Sequence, residues 1–448
     1  MKKYFGTDGI RGVANLDLSP KLCFQLGRIL GTIARQNKDD EMTVLIGRDT
    51  RISGEMLESA LVAGLLSAGA NVMRLGVITT PGVAYLTRAL NATYGIMISA
   101  SHNPYYDNGI KIFGSDGYKL TDEMELEIER LLDDEKAELY QPTHDGIGRV
   151  DEYFEGIHKY LLSIQKSVPQ HFDQLKVAID CANGSTSNLA PHLFANLEAN
   201  ALFINNEPDG TNINVNCGST SIESLRQFVR ENDVDLGLAF DGDGDRLIAV
   251  DEHGEVVNGD KIMYIIAKHL KEKGALKHDM VVTTVMSNLG LYKALDKIGI
   301  QSVKTPVGDR YVLEEMLKNG YNLGGEQSGH IIMLDHATSG DGLLTAVQLI
   351  HVMLEKDASL SELASEVVEY PQVLRNVAVM DKEKVIQHPA LLEKIKAIEA
   401  KLGSDGRVLV RPSGTEELIR VMVEAPTEEL ANQYVQEIQE TIETIKRD

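Results

Sequence analysis

A chain of 448 residues is too long for one hydrophobic core, so roughly two to four domains are expected. Its 43% hydrophobic and 25% charged content is ordinary for a globular protein, and no uninterrupted apolar run is long enough to span a bilayer. Forty-four basic against 67 acidic residues give a net charge of −23, which argues against general nucleic-acid binding and against an anionic membrane surface. A phosphate ligand would therefore need its cations gathered locally in a cleft. Cys23, Cys181 and Cys217 are widely spaced and form no metal pattern. Together with an N-terminus that lacks a signal-peptide apolar stretch, they give the expectation of a reducing, cytoplasmic setting.

The elements alternate from the start. Ser19-Pro20 opens a helix as N-cap and first-turn proline, with Leu22, Leu26, Ile29 and Ile33 as its apolar face. A short strand from Thr43 to Gly47 ends at Arg48-Asp49. A helix from Glu55 to Ala68, a strand from Asn71 to Leu75 and an apolar strand from Tyr94 to Ser99 follow. This alternation implies an open α/β sheet, on which ligands gather at loops beyond the carboxyl ends of strands. The acidic stretch from Thr121 to Glu138 reads as a solvated helix face. A second block has the strand Val177-Ala178-Ile179-Asp180 running into Cys181-Ala182-Asn183-Gly184. A third has a strand from Met280 to Val285, a helix near Leu289 to Ile298 and a strand into Thr305. The last differs: Val408-Leu409-Val410 leads into a loop, Leu418 to Val423 returns, and a helix runs from Thr427 towards Lys446. It is a small α+β domain. The expected division is 1–153, 154–254, 255–370 and 371–448.

The second block ends on the most informative stretch, Asp241-Gly242-Asp243-Gly244-Asp245-Arg246, between the apolar runs Leu236–Phe240 and Leu247–Val250. That pattern predicts a strand, a turn and a return strand. Three carboxylates at alternate positions do not share a helix face, but they can converge in a loop that glycine lets bend. Convergent anions make sense around a divalent cation, and all-oxygen ligation favours Mg²⁺, Mn²⁺ or Ca²⁺ over zinc. An EF-hand would place its turn glycine where Arg246 stands, and the flanks read as strands rather than helices.

Four further clusters carry chemistry. Ile98-Ser99-Ala100-Ser101-His102-Asn103-Pro104 follows a buried strand, leaving the Ser101 hydroxyl able to carry a phosphoryl group or act as a nucleophile. Taken alone, that serine reads as a turn residue, and its adjacency to His102 does not make a triad. Lys111, inside the apolar strand Asn108–Phe113, is either a snorkelling edge lysine or a partly desolvated acid or base near that group. Arg411-Pro412-Ser413-Gly414-Thr415-Glu416, with Arg420 on the return strand, is rich in phosphate donors. Gly324-Gly325-Glu326-Gln327-Ser328-Gly329-His330 offers the mixed donors and acceptors that sugar hydroxyls need. Gly6-Thr7-Asp8-Gly9-Ile10-Arg11-Gly12 and Gly47-Arg48-Asp49-Thr50-Arg51 add arginines in glycine loops.

In this order and spacing, the Gly6–Gly12 start and the Ser101, Asp241, Glu326 and Arg411 loops resemble the α-D-phosphohexomutases over essentially the whole chain. Gln327 and the run Thr305-Pro306-Val307-Gly308-Asp309-Arg310 are similar to the glucosamine-directed branch. Glu417 departs from the proline common there. The resemblance implies three α/β domains with mixed sheets plus a smaller α+β C-terminal domain around a central cleft. It implies a phosphoserine at Ser101 and one Mg²⁺ per subunit, held by Ser101, Asp241, Asp243 and Asp245. The expected reaction interconverts glucosamine 6-phosphate and glucosamine 1-phosphate through a 1,6-bisphosphate, feeding UDP-N-acetylglucosamine synthesis. Glucosamine 1,6-bisphosphate or glucose 1,6-bisphosphate would be the activator. Ser101, Lys111, Arg11 and Arg246 would be catalytic. Glu326, Ser328 and His330 would read the sugar, while Arg411, Ser413, Gly414, Thr415 and Arg420 would grip the distal phosphate. The expected partner is a small phosphosugar, with no nucleic acid and no membrane insertion, in a homodimer. The alternatives are the same chemistry on mannose or glucose phosphates, a metal-dependent phosphatase, and a non-catalytic metal- and phosphosugar-binding protein.

Overall fold

The computed structural model describes residues 2–6, 8–36, 42–413 and 417–446. The first sheet has seven strands in the order Phe5–Gly6, Gly9–Val13, Asp107–Gly114, Tyr94–Ile98, Thr43–Arg48, Asn71–Val77 and Val150–Glu152. The last four of these run parallel and the others pair antiparallel, so the sheet is mixed. Helices Pro20–Gln36 and Gly54–Ser67 pack together over it. Gly27 and Gly64 permit the close approach, because a Cβ on Gly64 would overlap the Phe24 carbonyl and one on Gly27 the Leu61 carbonyl.

The second sheet orders Val256–Val257, Leu247–Asp251, Leu236–Phe240, Lys176–Asp180 and Asn200–Ile204. The third orders Gln301–Thr305, Met280–Thr284, Leu323–Gly325 and Ile331–Met333. In the second, parallel strands are extended by two antiparallel pairings at Leu247–Asp251 and Val256–Val257; in the third, the parallel pair Met280–Thr284 and Leu323–Gly325 ends in antiparallel Ile331–Met333. A fourth, antiparallel sheet of three strands places Leu418–Glu424 between Gln372–Ala378 and Arg407–Pro412. Helix Glu428–Ile445 buries Val435, Ile438 and Ile442 against it. The architecture is thus three larger α/β parts with mixed sheets and a smaller α+β part at the C-terminal end. No helix among the described residues is long and apolar enough to cross a membrane.

By its contacts the chain falls into two units. One holds the described residues up to Val285 together with Ser302–Ala364; the other holds Met286–Gln301 with the described residues from Ser365 onward. Helix Leu289–Lys297 therefore groups with the C-terminal sheet, although strands of the third sheet flank it in sequence. Glu424, fully buried on the central strand of the C-terminal sheet, is one of the ties. Its Oε2 accepts the Leu289 N–H at the helix start at 3.0 Å, and both its oxygens pair with Arg407, at 2.6 and 2.9 Å. Removing the carboxylate would leave the Arg407 guanidinium without its anion, though still bonded to the Ser287 carbonyl, and a helix N–H without its acceptor. Glu424→Ala is expected to cost about 3 kcal/mol or more, read as a lower urea midpoint, and an unchanged midpoint would contradict this role.

Candidate active site

The strand Tyr94–Ile98 is buried throughout and delivers the chain into the Ser101 loop. Ser101 sits in the left-handed region at φ 52°, a strained conformation that its surroundings must hold. They do so chiefly through Arg51, which is 1% exposed. Its Nε pairs with Asp49 at 2.7 Å, and its Nη atoms donate to the carbonyls of Ser101, Asn103, Pro104 and Asp107. Asn214 donates a second bond to the Ser101 carbonyl at 2.8 Å. Asp49 in turn accepts from Ser99 Oγ, which accepts the Ser101 N–H. Arg51 thus positions the serine loop; the sequence marked it only as one more arginine in a glycine loop.

The three carboxylates arrive from the second sheet. Leu236–Phe240 and Leu247–Asp251 pair antiparallel, with Phe240 opposite Leu247, so residues 241–246 form the connecting loop. Asp241, Asp243 and Asp245 are all buried, and an oxygen from each lies within 4.8 Å of the others. Ser101 Oγ donates to Asp241 Oδ2 at 2.7 Å, joining the two loops. Gly242 allows this approach, since a Cβ there would overlap the Ser101 carbonyl. Burial, then the charges of Asp245 and Asp243, push the Asp241 carboxyl well above the usual carboxylate range. Asp243 Oδ1 and Asp245 Oδ1 are buried without hydrogen-bond partners. Convergent, under-neutralised carboxylates with unused oxygens fit a hard divalent cation.

Lys111 is 1% exposed and supplies positive charge to the same cluster. Its Nζ lies 2.8 Å from Asp243, 3.0 Å from Asp8 and 3.5 Å from Asp245. Burial pulls its pKa down, but Asp243, Asp8 and Asp245 outweigh burial and hold it well above the ordinary lysine value. Lys111 therefore suits a proton donor or a fixed cation. To act as a base it would first have to lose a proton that three carboxylates retain. His102 Nδ1 lies 3.2 Å from Ser101 Oγ. Burial, with Arg246 and Arg11 nearby, pushes this imidazole down to about 4, so it is neutral at physiological pH.

Arg11, His102, Asp245, Arg246, Glu326 and His330 all line one cavity of about 500 Å³. Glu326 Oε1 accepts the Gly308 N–H at 3.2 Å, tying the Glu326 loop to the run that begins at Thr305. His330 Nε2 accepts the Gly340 N–H at 3.1 Å, and its Nδ1 faces Asp245 at 3.6 Å. Ser328 is exposed and lies outside the cavity lining. Asp8 and Asp309, without an assigned role in the sequence, also line this cavity, and Lys119 joins them. Lys119 Nζ bridges Asp8 at 2.6 Å and Asp309 at 2.7 Å, while Asp8 also pairs with Arg11. These partners are 111 and 190 positions apart in the chain, so no local pattern could reveal them.

In the C-terminal unit, Arg411 and Arg420 are direct cross-strand partners. Like charges placed opposite one another destabilise a sheet unless an anion intervenes. Burial and the Arg420 charge together lower the Arg411 pKa. Ser413 is buried, and its carbonyl accepts from Lys382 at 2.7 Å. Gly414 and Thr415 lie outside the described residues. The Glu417 carbonyl accepts the Val379 N–H at 2.9 Å, which anchors the far side of the loop. Arg411→Ala is expected to weaken phosphosugar binding by about 2–3 kcal/mol, seen as a raised KM; unchanged KM and kcat would remove Arg411 from the site.

An activated serine position, a buried carboxylate triad and arginine-rich loops at strand ends define a phosphoryl-transfer enzyme. Models of the phosphoglucomutase/phosphomannomutase domains match the chain in series: alpha/beta/alpha domain I at residues 2–139, domain II at 151–254, domain III at 258–370 and the C-terminal domain at 374–441. Phosphoglucosamine mutases of Bacillus cytotoxicus and Geobacillus thermodenitrificans are each 60% identical over 442 residues, spanning 99% of this chain and 98% of theirs. A phosphoglucomutase/phosphomannomutase family protein from Burkholderia thailandensis shares the fold with a TM-score of 0.81 at 23% identity, over 100% of this chain and 98% of that one. An Aspergillus fumigatus N-acetylphosphoglucosamine mutase, solved with GlcNAc-6P and magnesium, gives a TM-score of 0.70 at 16% identity, over 100% and 96%. The chain belongs to the phosphoglucomutase/phosphomannomutase family, the α-D-phosphohexomutases, and within it to the phosphoglucosamine mutases. It is an isomerase that relocates a phosphoryl group on a sugar.

Proposed function

We propose that the chain interconverts glucosamine 6-phosphate and glucosamine 1-phosphate by way of a phosphorylated Ser101. The observation that carries the site assignment is the 2.7 Å bond from Ser101 Oγ to Asp241, which puts the serine against the carboxylate triad. The 60% identity to phosphoglucosamine mutases supports the choice of sugar.

In this reading the bond between Ser101 Oγ and phosphorus breaks as a bond from phosphorus to the free sugar hydroxyl forms. The proton of the sugar hydroxyl ends on the departing Ser101 Oγ, so the sugar O–H is exchanged for the serine O–H and no net proton is gained or lost. Lys111, already protonated, is suited to give that proton or to stabilise the developing charge, together with Arg11 and Arg246. The resulting glucosamine 1,6-bisphosphate reorients and returns its other phosphoryl group to Ser101 by the same exchange in reverse. Glu326 and His330 orient the sugar, whereas Ser328, expected beside them, is exposed outside the cavity lining and takes no such role. Arg411, Ser413, Gly414, Thr415 and Arg420 hold the phosphate that is not reacting. Asp241, Asp243 and Asp245, with an oxygen on Ser101, would hold one Mg²⁺ per subunit, which supplies charge neutralisation for the transferred group when bound.

Glucosamine 1,6-bisphosphate or glucose 1,6-bisphosphate would recharge a serine that has lost its phosphate. The product would feed UDP-N-acetylglucosamine synthesis. We place the enzyme in the cytoplasm as a homodimer, in the 1–153, 154–254, 255–370 and 371–448 domain division. Side-by-side assays on glucosamine, glucose and mannose 6-phosphates test the substrate. The highest kcat/KM is expected on the amino sugar, and a preference for mannose or glucose would overturn that assignment.

A further inference from the structure

Among the described residues two groups of side chains are spaced to share a metal ion: the aspartate triad, and His269, His351 and Glu355. The second group plays no part in the phosphoryl-transfer site. His269 stands in the last turn of helix Gly259–Glu272; His351 and Glu355 stand one turn apart on helix Gly342–Lys356. Glu355 Oε2 lies 3.6 Å from His269 Nε2 and 3.4 Å from His351 Nε2. Those separations are too long for direct hydrogen bonds. The shorter matches the edge of a tetrahedron built on metal–ligand bonds of about 2.0–2.1 Å, which is about 3.3–3.4 Å, the longer slightly exceeds it, and the three ligand atoms lie within 4.8 Å of one another.

The surroundings agree with ligation. His269 is 6% exposed, and the Nδ1 atoms of both histidines are buried without a hydrogen-bond partner, so no neighbour commits either ring to one tautomer. Lys273 occupies the other carboxylate oxygen of Glu355, leaving Oε2 turned to the two rings. Both helices present their C-terminal ends here, where the backbone dipole favours a cation.

We propose that His269, His351 and Glu355 bind one zinc-type transition-metal ion, with water in the open fourth position. Two imidazole nitrogens and one carboxylate oxygen suit Zn²⁺ and not Mg²⁺. The ion pins the C-terminal ends of two helices whose N-terminal ends support the active site. The Gly259 N–H donates to the Gln327 carbonyl in the sugar-reading loop, and the Gly342 N–H donates to the Gly244 carbonyl in the aspartate loop, both at 3.0 Å. Ten residues of helix separate Gly259 from His269, about 15 Å, so the ion is a remote clamp and not a participant in transfer.

The test uses full-length protein stripped with a chelator, then held in excess Mg²⁺ so that the aspartate triad is occupied. Wild type is expected to take up one equivalent of Zn²⁺ with a Tm rise of several degrees, and with Co²⁺ to give the intense visible absorption of a tetrahedral site. His351→Gln and His269→Gln, which substitute different helices, should each weaken uptake about tenfold or more and abolish the absorption. Their Mg²⁺-supported mutase activity should match wild type. Absence of tetrahedral Co²⁺ absorption in wild type would overturn the proposal. So would uptake that survives both histidine variants but is lost in Asp243→Asn, because the ion would then belong to the triad.

Discussion

Ser101→Ala is expected to lower turnover by roughly 10⁴-fold or more while leaving the protein folded. The hydroxyl is the only atom removed, and the loop does not depend on it. The Ser101 carbonyl still accepts from Arg51 and Asn214, and its N–H still donates to Ser99. Asp241 loses the serine bond but keeps the Arg246 N–H at 3.2 Å on its other oxygen. The loss is therefore chemical, in the absence of an oxygen to carry the phosphoryl group. Intact mass should show one phosphate on wild type and none on the variant. Near-wild-type turnover in a variant of correct mass would eliminate the serine mechanism.

The second large effect concerns Asp243. One of its oxygens accepts from Thr80 and lies 2.8 Å from Lys111; the other is unpartnered. Asp243→Ala is expected to reduce turnover about 10³-fold at ordinary Mg²⁺ and to raise the Mg²⁺ concentration giving half-maximal activity. Lys111 would retain Asp8 and Asp245, so its charge stays paired and the variant should fold. A Mg²⁺ titration separates the outcomes. An unchanged midpoint and unchanged turnover would mean that the triad is not the metal site.

Much of this site is legible in the chain because its parts are local. Alternating Asp and Gly between two apolar runs announces the carboxylate loop, and the strands pair as that pattern requires. Buried apolar residues leading into Ser101 likewise mark a strand end. What escapes is what distant segments build together. Arg51 is only one more arginine in a glycine loop until its five donors are seen to be spent on Asp49 and four backbone carbonyls, partners set only when the loops meet. The Asp8–Lys119–Asp309 chain is invisible for the same reason. Some local signals were available and unused. Thr79 caps the helix Thr80–Ala89, with Pro81 in its first turn, but Gly82 and Thr87 blur its apolar period. Strand Gln372–Ala378 buries only Val377 fully, so it lacks the alternation that marks a two-faced strand. Helix Leu289–Lys297 joins the C-terminal unit through partners far along the chain, Glu424, 135 positions away, among them.

The most direct measurement is a phosphorus NMR time course. Phosphorylated protein is incubated with glucosamine 6-phosphate, Mg²⁺ and a trace of the 1,6-bisphosphate. Growth of a glucosamine 1-phosphate resonance at the expense of the 6-phosphate, without release of inorganic phosphate, is the expected result. Inorganic phosphate as the main product, or no change in a protein whose mass confirms one phosphate, would contradict a mutase acting through Ser101.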